Sequence, residues 1–168
     1  MKRKIRNLII VMILLLNVIN AYGMNVSILI LQKDGTAKIS ESSRVFENHI
    51  LNTLFDKGHI VSNEPISLYE NYEMAVYNGF NSAVDGFMDC FVEITLEYDL
   101  TKSKNPDGVS LENIKNVQYT IKKVSTGSEI YKSGEILPNR ESVSNQYVGF
   151  NNFALEIADK INLNLNGK

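Results

Sequence analysis

The chain has 168 residues, of which 44% are hydrophobic, enough for one ordinary core and too few for two large domains. Its 17 basic and 19 acidic residues exclude the strongly basic surface that displaces counterions from nucleic acid. Cys90 is the single cysteine, so an internal disulfide and any metal site of paired cysteines are excluded as well.

Lys2, Arg3, Lys4 and Arg6 precede an apolar run over residues 8–16, which continues after Asn17 through Val18 and Ile19 to Ala21-Tyr22-Gly23. Basic residues, a short apolar run and then small residues predict a secretory signal peptide over residues 1–23, cut between Gly23 and Met24. An uncleaved anchor would need about 20 apolar residues, and this run is shorter and holds an Asn. The expected mature domain, 24–168, loses four basic groups and no acidic one, leaving 13 basic against 19 acidic residues and a net charge of −6. No cysteine follows the leader to take the lipid of a bacterial lipoprotein. The prediction is a periplasmic or secreted protein with no stable membrane insertion after cleavage.

Residues 24–32 (MNVSILILQ) are apolar on both parities at Ile28, Leu29, Ile30 and Leu31, as a strand buried on both faces would be. Asp34-Gly35 signals a turn, and Ser42-Ser43 can cap a first helix running to about Lys57. Val45, Phe46, Ile50, Leu54 and Phe55 form its apolar stripe, and Gly58 stands where a left-handed residue ends a helix. His59-Ile60-Val61 gives a short second strand, stopped by Pro65. Ser67-x-x-Glu70 has the capping-box pattern, predicting a second helix from near Leu68 with Tyr72, Val76, Phe80 and Ala83 on one side.

Residues 87–100 (FMDCFVEITLEYDL) alternate apolar and polar side chains, with Phe91 alone breaking the rule. Alternation sustained over this length defines a third strand with one wet face. At roughly 3.3 Å per residue it would reach about 45 Å, so its far end is expected to project as a hairpin arm. Val117, Tyr119 and Ile121 mark a fourth strand, and after the turn Ser125-Thr126-Gly127-Ser128 residues 129–137 return as a fifth. A last helix over about 145–165 turns Tyr147, Phe150, Phe153, Ala154, Ile157 and Ile161 inward.

Two strand-helix-strand units followed by two tight connections predict parallel neighbours and then an antiparallel meander. With the doubly apolar first strand in the middle, the fold is a three-layer α/β/α arrangement around a five-stranded mixed sheet, order 2-1-3-4-5, with strand 4 antiparallel. Right-handed crossovers in opposite directions place the first two helices on opposite faces.

The helix ending in FDKGHIV, the GFNSAVDGF entry into the third strand and the hairpin VQYTIKKVSTGSEIYKSGEI are similar to the TolB amino-terminal domain, and to the CsgG and LpoB envelope proteins. This resemblance spans about residues 25–165. It implies an anticodon-binding-like fold that contacts other proteins in the bacterial envelope and has no catalysis of its own.

No cofactor, metal or catalytic constellation is expected. His49 and His59 lack ligand spacing, and no glycine-rich phosphate loop or activated-serine motif occurs. Glu93 and Glu97 share a parity with Asp89 and Asp99, but four residues along a strand is about 13 Å, beyond the roughly 5 to 10 Å of a glycosidase pair. They read as a solvated face, with Lys122 on the neighbouring strand able to offset one of them. The sharper reading makes Asp89, Phe91, Glu93 and Glu97 an acidic docking surface. The chain is thus expected to be a non-catalytic envelope interaction domain, adaptor or assembly subunit, with protein partners and a possible homo-oligomer. A periplasmic small-ligand binder or hydrolase without a recognisable motif is the competing expectation.

Overall fold

The computed structural model describes residues 23–34, 36–101, 103–141 and 143–167. The expected leader, apart from Gly23, lies outside these residues, as does Gly35 of the Asp34-Gly35 turn.

Six strands make one open mixed sheet: β1 (Asn25–Lys33), β2 (Ile60–Asn63), β3 (Ser67–Leu68), β4 (Cys90–Tyr98), β5 (Ile114–Lys123) and β6 (Glu129–Lys132). Three helices pack on it: α1 (Glu41–Asp56), α2 (Tyr72–Asp85) and α3 (Gln146–Leu165). The main path runs β2-β1-β4-β5-β6, with the two-residue β3 also paired to β1. Counting the five longer strands, this is the expected order, and β5 is the antiparallel member against β4. β1 runs parallel to β2, with Asn25 opposite Ile60, and parallel to β4, with Val26 opposite Cys90. Its side chains from Val26 to Gln32 are buried on both faces, which is what its unbroken apolar run requires.

The two faces are covered unequally. Phe46, Ile50 and Leu54 of α1 and Phe150, Phe153 and Ile157 of α3 pack with Ile28, Ile30, Val92 and Ile94 of the sheet in the larger core. The rings of Phe46 and Phe150 meet edge to face at 6.2 Å. On the opposite face α2 stands alone, and the smaller core is Leu29, Leu31, Ala83, Phe91 and Val124.

Several boundaries differ from the sequence expectation. The cap of α1 is Ser40, whose hydroxyl accepts the Ser43 amide at 3.1 Å, whereas Ser42 and Ser43 are buried in the first turn. Ser43 is drawn inward because its hydroxyl bonds the buried Gln32 at 2.8 Å and Tyr98 at 2.9 Å. Gly58 takes the left-handed conformation expected of it, at φ 92°. Ser67-Leu68 forms β3 instead of a capping box, pairing with Leu31 and Gln32, and the Ser67 hydroxyl bonds the Pro65 carbonyl. A 3-10 turn over Tyr69–Asn71 then precedes α2.

The strand expected over 87–100 is shorter at both ends, and no arm projects. Phe87 has φ 53°, outside strand geometry, and the ladder shifts register between Glu97 and Tyr98. Beyond it the chain folds back on the buried Asn113, whose amide donates to the carbonyls of Asn105 and Gly108, each at 3.0 Å. The fifth expected strand also breaks early: β6 ends at Lys132, after which Ser133 still bonds Tyr119 of β5 and a last bridge joins Val117 to Ile136. In α3, Tyr147 points outward at 51% exposure, because it sits in the first turn next to its Asn145 cap and beyond the core.

Candidate interaction surface

The polar side of β4 and the matching side of β5 share the face on which α2 packs. The register sets Phe91 opposite Lys122, Glu93 opposite Thr120, Thr95 opposite Gln118 and Glu97 opposite Asn116. This floor turns from apolar to polar along its length. Phe91 lies fully buried beneath α2, with its ring edge to face against Phe80 at 5.8 Å. The helix comes this close because residue 79 is Gly: a Cβ there would stand 3.2 Å from the Phe91 ring. Phe91 therefore contributes no exposed surface, and its break in the alternation marks the patch that α2 covers.

Glu93 is buried to 7% exposure and meets Lys122 at 3.4 Å. The neighbouring Tyr72 hydroxyl donates to it, and burial together with this carboxylate pushes the Tyr72 phenol up to about 12. Glu97 stands at the far end of the face, held by Lys115 at 2.6 Å, Lys33 at 3.2 Å and the Asn116 amide at 3.2 Å. Lys115 is the main reason its carboxyl sits below the usual range, with Lys33 and Asn116 adding to the effect. Asp89 is apart from both, before β4, where it accepts the Asn25 amide at 2.8 Å. The four residues singled out in the sequence thus do not form one acidic patch: one is core, one ties two strand starts together, and two are neutralised by different lysines.

Between Tyr69, Tyr72, Glu93, Thr95, Gln118 and Lys132 lies a cavity of about 120 Å³. Tyr69 and Tyr72 are 5.4 Å apart at its rim, and the Lys33 ammonium lies 5.3 Å from the Tyr69 ring centre. The sequence pattern placed Tyr72 only in the helix stripe and did not mark Tyr69; their i, i+3 spacing at the start of α2 was the available signal. The histidines are spent on structure. His49 bonds Asn151 at 3.1 Å, while His59 bonds Asn162 at 2.9 Å and accepts the Met24 amide on its other ring nitrogen. Among the described residues no group of three His, Cys, Asp or Glu side chains is placed to hold a metal ion. The Cys90 thiol is buried 3.8 Å from the Met24 sulfur, and burial raises its pKa.

A second set of features lies at the sheet edges. Among the described residues β2 pairs only with β1 and β6 only with β5, so each leaves its outer backbone unpaired. Ile60 on β2 is 65% exposed, and all four residues of β6 are exposed, Ile130 and Tyr131 among them.

A family model described as "Uncharacterised protein" matches residues 26–162. The chain belongs to that family. No curated protein matches it. Among solved structures, two forms of the PelC dodecamer from Paraburkholderia phytofirmans are similar in fold, each at TM-score 0.52 and 14% identity. One match covers 85% of this chain and 89% of the PelC chain, the other 86% and 88%. Protein XCC0632 from Xanthomonas campestris, of the family DUF330, matches at TM-score 0.40 and 7% identity over 88% of each chain. These findings correct the expected kinship with the TolB amino-terminal domain, CsgG and LpoB. The motifs that suggested it are a helix end, an entry into a strand and a hairpin turn, features that a mixed sheet of this connectivity shares, and so they carried fold and not family.

Proposed function

We propose that the chain is an exported, non-catalytic interaction domain of the cell envelope that works as an assembly subunit, docking first to copies of itself. The observation that carries this reading is the pair of open sheet edges. An unpaired edge strand is a template for another strand, and the usual protections against pairing are charge, proline or a covering loop. Both edges keep exposed isoleucines, Ile60 on β2 and Ile130 on β6, the latter between the charged Glu129 and Lys132 at the strand's two ends. The two edges are different surfaces, so contact between them is head to tail and closes into a ring or extends as a filament. The oligomeric state of the PelC structures, which are dodecamers, supports the same reading.

Light scattering on the purified protein tests it. The expected mass is a multiple of the single chain, and Ile60→Glu or Ile130→Glu should shift it toward the monomer without unfolding the domain. A monomeric mass at high concentration sinks the assembly reading.

The small cavity under Tyr69 and Tyr72 favours a second reading, a binding site for a small polar ligand, since a carboxylate, an amide and hydroxyls converge on it. Ligand-dependent change in the Tyr72 resonances on screening small polar molecules would support that reading over assembly alone.

A further inference from the structure

The cavity under Tyr69 and Tyr72 has a floor whose chemistry is ordered across three neighbouring strands. Glu93 of β4 stands opposite Thr120 of β5, which stands opposite Lys132 of β6, so one row on this face carries a carboxylate, a hydroxyl and an ammonium. Side chains at paired positions leave a sheet on the same side, and strands lie about 4.8 Å apart, which sets the first and last backbones of the row about 10 Å from each other. The next row, Thr95 opposite Gln118, adds a second hydroxyl and an amide. The roof is the 3-10 turn and the start of α2, which bring Tyr72 onto Glu93 with Tyr69 beside it.

The two ends of the row are unequally engaged. Glu93 is 7% exposed and receives Lys122 at 3.4 Å and the Tyr72 hydroxyl, yet a carboxylate offers about four acceptor positions and these two donors use half of them. Lys132 is exposed, and among the described residues its ammonium has no hydrogen-bond or ion-pair partner; nor do the hydroxyls of Thr95 and Thr120. The other charges nearby are engaged or face away. Lys33, 5.3 Å from the Tyr69 ring centre, and Lys115 both hold Glu97. Glu135 accepts the Gln118 amide at 3.5 Å, and Glu70 and Glu73 are exposed on the outer side of the turn, where they border a separate hollow. The cavity thus runs from a buried carboxylate with acceptor positions to spare, past unpartnered hydroxyls, to a free ammonium.

We propose that this cavity binds a small free amino acid, glycine or alanine, with its ammonium on Glu93 beside the tyrosine rings and its carboxylate on Lys132 and the Thr120 hydroxyl. This deepens the small-ligand reading of the cavity given above and rests on it. Charge-assisted hydrogen bonds of about 2.8 Å at each end leave room for only a few atoms between them. The volume agrees: about 120 Å³ is the room of about four water molecules at roughly 30 Å³ each, and below the roughly 150 Å³ that holds a benzene ring, so a sugar ring does not fit inside. A lone carboxylate on Lys132 would give Glu93 no donor and would lie in its field, while a lone amine on Glu93 would gain nothing from Lys132. An aromatic face beside a partly desolvated ammonium adds attraction at the Glu93 end. Pairing of the β6 edge with another copy leaves this site intact, since Lys132 points from the face of the sheet and not from its edge.

The test is titration of the full chain, followed by calorimetry and through the ring resonances of Tyr69 and Tyr72, with alanine, lactate, ethylamine and glycerol as probes. Lactate replaces the ammonium by a hydroxyl, ethylamine lacks the carboxylate, and glycerol carries neither charge. The expected result is saturable binding of alanine and at least about tenfold weaker binding of the other three. Lys132→Gln, at an exposed position, should weaken alanine by a similar factor, whereas Lys123→Gln, an exposed lysine of β5 outside the cavity, should leave it unchanged. Lactate, ethylamine or glycerol binding as tightly as alanine overturns the amino-acid proposal while a small-ligand site still stands. So does alanine binding that Lys132→Gln leaves unchanged, or that both lysine variants weaken equally. No response to any of the four probes also overturns it, and the wider site reading falls separately, when a screen of small polar molecules leaves Tyr72 unmoved.

Discussion

Whether Phe91 is core or contact surface can be decided by truncating it. Phe91→Ala removes a fully buried ring from the smaller core, where it lies against Phe80 and beneath Gly79. Large-to-small changes of this kind cost about 3 to 5 kcal/mol, the lost transfer energy of the ring plus the cavity left behind. The lower half of that range applies, because α2 buries only Gly79 and Ala83 and can settle partway into the space. At a urea dependence of about 2 kcal/mol/M, a loss of about 3 kcal/mol moves the unfolding midpoint down by about 1.5 M. Gly79→Ala in the Phe91→Ala background should recover part of it, since the new methyl then points into vacated space and gains helix propensity. Equilibrium urea unfolding followed by circular dichroism reads both changes. A midpoint shift corresponding to less than about 1 kcal/mol would refute the packing argument and return Phe91 to the docking surface.

Tyr98 is 7% exposed, and burial pushes its phenol up to about 12 despite hydrogen bonds from Ser43 and Ser40. The folded value lies above the unfolded value near 10, so the stabilisation is complete below pH 10 and is lost as pH rises toward 12. Alkaline unfolding should fall in that window, and Tyr98→Phe should flatten the loss by about 2 to 3 kcal/mol while costing about 1 kcal/mol at neutral pH. Gly58→Ala, at φ 92° with no atom within 4 Å of the new methyl, should cost about 1 to 2 kcal/mol from backbone strain alone, read as a lower urea midpoint. The Cys90 thiol should resist a thiol reagent in the folded protein and react fully in denaturant, and fast reaction without denaturant would show that the β1 and β4 ends open.

The strand order was legible because it depends on connection length and hydrophobic parity, both of which are properties of the chain alone. Residues 24–32 could lie only inside a sheet, and the short turn at residues 125–128 forced the last antiparallel pair, whereas the connection from Tyr98 to Ile114 is longer and folds on itself. Element ends were less legible, since they depend on tertiary partners. Ser40 caps α1 because Gln32 and Tyr98 claim the hydroxyl of Ser43. Ser67 joins β3 because the end of β1 offers it a ladder position. Of the candidate site, the offset of Glu93 by Lys122 was readable from neighbouring strands, whereas the three partners of Glu97 come from both flanking strands, Lys33 from β1 and Lys115 with Asn116 from β5.

The unequal cores link the fold to the proposed role. α1 and α3 bury their apolar stripes against the sheet and against each other, whereas α2 is held by Phe80, Phe91 and a few half-buried side chains and leaves Met74 and Tyr77 each 69% exposed. Local opening free energy follows buried apolar contact, so α2 should exchange its amide hydrogens faster than either of the other helices. The polar floor beneath its first turn, with Glu93 and its lysine, is the part of the sheet that such opening would uncover. An α2 that exchanges as slowly as α1 would mean that this face is closed in solution, leaving the sheet edges as the surfaces that carry the proposed assembly.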